Sequence, residues 1–462
     1  MKKLFRPEIL LALCWTEVIL QVIISLLQLF VMQVVLDRVE IIIFALIIIV
    51  AAGCYLTARP ALKPGADVYL LLFMLLWFFM SCIGMNMNSA DNWFELNASE
   101  LSDMEILILT YLLGKYTAKA GVSKSLMVCL HSLLITWSAV MLYILINIFM
   151  NRTLIPPCGG MIGMYGGSSF QINCNRNYTG ALSMVFLLMC FCMITAVRQR
   201  YARLIYGFCF IVHYFALVIS CSRTGLLSAI IGFAPMVSIV FYTRYTGMEQ
   251  KKRIAGSTLA ALFSGGIFFL LRYPVYQFYS LVVSYFAGDP LAAREIIDES
   301  IVSVSSRLPI WEKAVGIIFS YRWMLTGVTP AGVAEALIEA YGGYMAEVPH
   351  CHNLILQVGV SLGIPGLVAF LIWLFLVALR CLNILTSPGS KRGVMLVTFI
   401  ILAIMADNMA ERYSMFYMFF ISYPFFFTCG YVMGVPLPRR ARPSGKSKHG
   451  RTVKYDNTEA FS

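Results

Sequence analysis

His350-Cys351-His352-Asn353-Leu354 is followed by a helix-length apolar run to Leu379 and preceded by a long polar segment, roughly Leu281 to Pro349. No other polar segment between apolar runs is as long. Apolar runs of helix length joined by short polar turns read as membrane helices, and the one long interruption reads as a large external loop. Two roles for the stretch stay open from its residues alone. Asn353 at a helix start can cap orphan N–H groups. His352, where a polar loop re-enters an apolar helix, is placed to take a proton at a lipid–water boundary. On a helix, residues two apart point to different faces, so His350 and His352 are expected to diverge.

Composition agrees with a polytopic membrane protein: 60% of residues are hydrophobic and 13% charged. A soluble core cannot hide so much apolar surface. The net charge of +12 does not point to nucleic acid, because the basic residues fall between apolar runs. The first apolar segment, Ile9 to Leu36, is too long for a signal-peptide core and reads as a span. Thirteen cysteines are scattered, mostly inside apolar runs, without CxxC or His–Cys metal spacing.

The expected fold is all-α and polytopic, with about twelve spans of ~20 residues. They centre near Val22, Ile47, Leu75, Leu109, Ser138, Leu187, Phe210, Gly232, Gly266, Leu367, Ile401 and Phe419. Residues 1–280 hold spans one to nine, 281–351 the large external loop, 352–435 spans ten to twelve, and 436–462 a basic cytoplasmic tail. With both termini inside, 25 of the 35 Lys and Arg lie on inner connections, as the positive-inside rule requires. The outer cations are nine arginines and Lys313. Arginine is the better planar, bidentate ligand for phosphate. Among them Arg223, Arg272 and Arg412 fall at or inside predicted membrane boundaries, where a charge is costly. In the outer loops, Cys158 and Cys174 are candidates for a disulfide, and Ala292–Ser300 and Trp311–Phe319 for short helices lying on the membrane.

Three further motifs fall on the outer side. Asn173-Cys174-Asn175-Arg176-Asn177 enters a helix from a Gly-rich loop. Cys221-Ser222-Arg223-Thr224-Gly225 forms a tight turn between apolar runs, and Ser306-Arg307-Leu308-Pro309-Ile310-Trp311 lies in the long loop. Each also fits a plain role as helix cap or interface anchor. Their order, followed by His352-Asn353 and the Gly363-Ile364-Pro365-Gly366 bend, is far more specific.

In that order, over roughly Gly166 to Tyr423, the chain resembles the O-antigen ligase and O-antigen polymerase superfamily. The resemblance implies a GT-C-like helical membrane enzyme, in the cytoplasmic (inner) membrane with its site on the extracytoplasmic face. It implies a donor glycan on undecaprenyl diphosphate and a glycan or lipid acceptor, and a chain-length regulator is a conceivable partner. It makes His352 the base and Arg223, Arg307, Arg176 and Arg412 the diphosphate ligands. Ser222, Asn353, Asn177, Trp311 and Glu411 would support them. His350 departs from the pattern and leaves two histidines to choose between. The expected transfer is inverting, with no cofactor and no metal, since no Asp-x-Asp pair occurs. Glu347, Asp407 and Glu411 are expected either to orient His352 or bind sugar, or to pair with nearby arginines. A solute or glycan transporter, or flippase, is the competing class, but such chains usually carry paired internal repeats, and none is found here. The peptidoglycan glycosyltransferases of shape, elongation, division and sporulation share the architecture but lack the Ser-Arg turn and His-Asn pair.

The charge pattern makes a direct prediction. In intact cells, a cysteine placed at Ser300 should react with an impermeant maleimide and one at Ser447 should not; the reverse labelling would invert the topology.

Overall fold

The computed structural model describes residues 65–85, much of 101–118, 124–150, 163–165, 169–171, 176–287, 307–342, 350–411 apart from 388, 415 and 421–436. The predicted spans near Val22 and Ile47 lie outside the described residues, as do Arg412, Glu347, Cys158, Cys174, Ala292–Ser300 and the basic tail. The helices in chain order are α1 (Ala66–Met85), α2 (Lys124–Phe149), α3 (Arg176–Ala196), α4 (Arg200–Ile219), α5 (Arg223–Arg244), α6 (Gln250–Leu270), α7 (Arg272–Ala287), α8 (Leu308–Ile318), α9 (Val333–Ala340), α10 (Leu354–Thr386), α11 (Arg392–Asn408) and α12 (Ser422–Gly434). Between α2 and α3 lies one antiparallel hairpin, β1 (Gly163–Tyr165) with β2 (Ser169–Gln171), an element the all-α reading did not include.

Seven helices among the described residues are long and apolar enough to cross a membrane. Six are α1, α3, α4, α5, α10 and the His131–Phe149 part of α2; the seventh, Gln250–Val282, joins α6 to most of α7. α7 continues as helix to Ala287, past the Leu281 at which the large loop was expected to begin. At the α6–α7 junction Arg272 lies over the rings of Phe269 and Tyr273, 3.8 and 4.8 Å from their centroids. The arginine that looked anomalous in sequence thus gains two ring contacts, while its buried Nε has no acceptor among the described residues. The span predicted around Ile401 is α11, of 17 residues; the one predicted around Phe419 has its helix at Ser422–Gly434.

Glycines let the helices approach. A Cβ on Gly232 would meet Leu188 and Ala403 side chains, so α5 can sit against both α3 and α11. One on Gly430 would fall 1.9 Å from the Tyr111 carbonyl, which seats α12 against the helical residues 110–115.

Helix ends sort as the charge pattern requires. At one end Arg392 donates to the Thr195 carbonyl (3.0 Å), Arg203 to Val197, and Arg380 to the Val432 and Val435 carbonyls at the end of α12. Lys115 pairs with Asp67 at this same end. The motifs singled out above sit at the other.

α10 is broken nine residues after it starts. Gly363 takes φ +65° and ψ −171°, and Pro365 has no N–H to return to Ser361. The break leaves the Val360 and Ser361 carbonyls and the Ile364 N–H without helical partners. Residues 324–329 of the long loop supply all three: Val328 N–H donates to Val360 (2.9 Å), Thr329 N–H to Ser361 (3.1 Å), and Ile364 N–H to Met324 (2.8 Å). Orphan backbone groups near lipid cost several kcal/mol each, so the loop and the break require one another. A second, smaller core forms above the break from Ile310, Ile318, Val333, Leu337, Cys351 and Val360. It ties α8 and α9 to the first half of α10 and holds the long loop over the helix ends. The expected surface helix at Trp311–Phe319 is α8, with Ile310, Ala314 and Ile317 on its buried face.

Gly327 sits where this clamp closes, at φ +73°, and a Cβ there would lie 2.4 Å from the Ser361 carbonyl oxygen. Gly327→Val should destabilise the purified protein by about 1–3 kcal/mol or more. Gly316→Ala, whose Cβ meets nothing within 4 Å, should not. Thermal melts in detergent compare the two.

Candidate functional site

The end of α11 carries the centre of the site. α11 stops at Asn408, and the chain turns so that Glu411 is fully buried, 0% exposed. Three segments converge on its carboxylate. Arg307, just before α8, donates through Nη2 to Oε1 (2.5 Å) and through Nη1 to the Ala410 carbonyl (2.6 Å). Asn177, in the first turn of α3, donates to the same Oε1 (2.8 Å). His352 places Nδ1 3.2 Å from Oε2. An ionised Glu411 fixes the imidazole with Nδ1 protonated and leaves Nε2 as the acceptor.

His352 does not belong to a helix. It adopts φ +48°, and α10 begins two residues later. This left-handed turn folds the loop back on itself, so His352 N–H donates to His350 Nδ1 (3.2 Å) and the two imidazole centroids lie 4.0 Å apart. The expectation that the two rings diverge fails because it assumed helix. His350 is buried and His352 half-buried.

Asn353 is the N-cap of α10: its Oδ1 accepts from Leu356 N–H (3.1 Å) while its Nδ2 donates to the Met409 carbonyl (2.8 Å). Ser222 is likewise the N-cap of α5, accepting from Gly225 N–H at 3.1 Å. Both residues do the plain capping job that sequence allowed, and Asn353 also pins α10 to the end of α11.

The first turns of α3 and α5 touch. A Cβ on Gly180 would lie 2.3 Å from Ser222 Cβ, and one on Gly225 2.8 Å from the Gly180 carbonyl carbon. Arg176 and Arg223 open these two turns, and both are exposed. Two neighbouring helix N-termini with an arginine on each present a positive potential that attracts anions in general. Arg307 is different: both terminal nitrogens are already engaged by Glu411 and Ala410, which makes it a positioning group first. Trp311 lies one turn further along α8, and its indole N–H is buried with no acceptor among the described residues. Asp407 is buried one turn before Glu411, and its Oδ1 has no hydrogen-bond partner among the described residues.

Of the residues that sequence nominated, the structure gathers His352, Arg307, Asn177 and Glu411 into one network, with Asn353 beside it. It sets Ser222, Arg223 and Arg176 on the adjoining helix starts. Sequence reasoning ranked Glu411 only as a support and treated His350 as a competitor. The structure makes Glu411 the hub. It also brings one ligand atom each of His350, His352 and Glu411 within 4.8 Å of one another, a set able to hold a metal ion. The search for metal sites by sequence spacing missed it because Glu411 lies 59 residues after His352.

Residues 208–371 match the family model for O-antigen ligase. The match covers the Ser-Arg turn, the Arg307–Trp311 segment, the His-Asn pair and the α10 break, and the resemblance to this superfamily read from those motifs holds. Comparison with curated proteins finds no match. The chain is thus similar to a family of membrane enzymes that act on polysaccharides.

Glu411→Ala should destabilise the fold by about 3–5 kcal/mol, the usual result of stripping one partner from a buried pair. Adding Arg307→Ala should recover part of that loss, because the uncompensated cation goes too. A double-mutant cycle of thermal melts reads the coupling.

Proposed function

We propose that the chain is a membrane glycosyltransferase that polymerises, or ligates, oligosaccharide units carried on undecaprenyl diphosphate, at the outer face of the cytoplasmic membrane. The observation that carries the reading is the His352–Glu411 pair, braced by Arg307 and Asn177 beside two arginine-bearing helix N-termini. That arrangement supports the reading of a base and an anion site at the same end of the bundle.

In this reading the donor's diphosphate lies across the first turns of α3 and α5, where Arg176 and Arg223 meet it; Arg412 is a further candidate. The acceptor hydroxyl gives its proton to His352 Nε2 as its oxygen attacks the anomeric carbon from the face opposite the diphosphate. The bond from that carbon to the diphosphate oxygen breaks, the lipid diphosphate leaves, and the new glycosidic bond has inverted configuration. Glu411 holds the imidazole in the right tautomer and stabilises the imidazolium. The arginines and helix N-termini stabilise charge on the leaving group, so the step calls for no metal. Trp311, one turn along α8 from Arg307, is a further supporting residue. Among acceptors, another lipid-linked glycan is favoured, which makes the enzyme a polymerase for a surface polysaccharide. A chain-length regulator would then be its partner.

Purified enzyme with labelled lipid-linked oligosaccharide decides the product: a ladder for a polymerase, a single transfer for a ligase. His352→Ala should lower the single-turnover rate about 10²–10⁴-fold while donor binding persists. Arg223→Lys keeps charge but loses the planar fork, so donor affinity should fall with normal protein in the membrane. Wild-type rates in His352→Ala would remove the base from the mechanism.

A further inference from the structure

We propose that His350, His352 and Glu411 form a binding site for a divalent transition-metal ion such as zinc, whose occupancy competes with proton transfer at His352. One nitrogen from each ring and one carboxylate oxygen already lie within 4.8 Å of one another. Ligands around a zinc ion sit about 2.0–2.2 Å from it, so small side-chain rotations close the set. Two imidazoles and a carboxylate suit zinc, cobalt or nickel far better than magnesium or calcium, which prefer oxygen alone.

Two features beyond proximity point to a cation. The first is the division of labour on Glu411. Arg307 and Asn177 both bind Oε1, while Oε2 faces His352. The carboxylate is therefore held from behind, as liganding carboxylates are, with its other oxygen turned to the imidazoles. The second is the backbone. The left-handed residue at 352 brings the two rings within 4.0 Å, an arrangement that capping α10 does not need, since Asn353 does that alone.

A metal here takes a lone pair of His352, the one group that accepts the proton in the reaction proposed above. The filled site is an inhibited enzyme, and metal binding itself is independent of that reaction. Binding therefore tests the site whether or not the transfer reading survives.

The experiment uses full-length protein in detergent with every affinity tag removed, titrated with cobalt(II) chloride and followed by visible absorption, then with zinc chloride by calorimetry. Wild-type protein should bind one equivalent with the intense ligand-field bands of four- or five-coordinate cobalt, and zinc should displace it. His350→Ala should weaken this binding about tenfold or more. His449→Ala, in the basic tail, should leave it unchanged and so exclude adventitious histidine. Absence of the cobalt bands in the wild type overturns the site whatever the variants do. Equal titrations in wild type and His350→Ala overturn it as well.

Discussion

A carboxylate with no exposure to water must find its compensation inside the protein, and Glu411 imposes that demand on one whole end of the bundle. Its partners come from the first turn of α3, the entry to α8 and the loop before α10. Desolvating a carboxylate costs several kcal/mol, recovered only when its lone pairs are met with good geometry. The helix starts and the long loop are therefore fixed relative to one another by a single side chain. The same carboxylate fixes the ring of His352, so the group that holds the site together also orients that imidazole.

Much of this was legible beforehand. Apolar length gave the described spans, and the alternation of cations correctly divided the helix ends into two sets: Arg203, Arg380 and Arg392 cap carbonyls at one end, while Asn177, Arg307 and His352 meet at the other. Gly363-Ile364-Pro365-Gly366 announced its bend, because proline and glycine act on the backbone locally. Contacts that depend on three dimensions were not legible. Glu411 looked like one acid among several, since nothing in sequence says that residues 177, 307 and 352 close on it. The left-handed turn at His352 was hidden as well: histidine enters that region only occasionally, and helix was the better guess. The insertion of residues 324–329 into α10 left only Gly327 as a mark.

Asn353 and Ser222 both cap helices, and the caps themselves shape this end of the bundle. A cap fixes where a helix begins, and the helices that begin here point their N-termini, with the partial positive charge of their aligned peptides, at the same region. Asn353 spends its oxygen on the cap and its amide nitrogen on Met409. One side chain thereby defines the start of α10 and its height against α11.

The break in α10 also separates the site from the bilayer. The 23 residues Ile364–Thr386 below Gly363 reach roughly 34 Å at 1.5 Å per residue, enough to cross the hydrocarbon on their own. Helices answer a thicker or thinner bilayer by tilting. Here the lower segment can tilt about a glycine, while the upper turns stay clamped to the long loop by backbone hydrogen bonds. Changes in lipid chain length are absorbed below the joint, and the spacing between His352 and Glu411 is insulated from the thickness of the membrane.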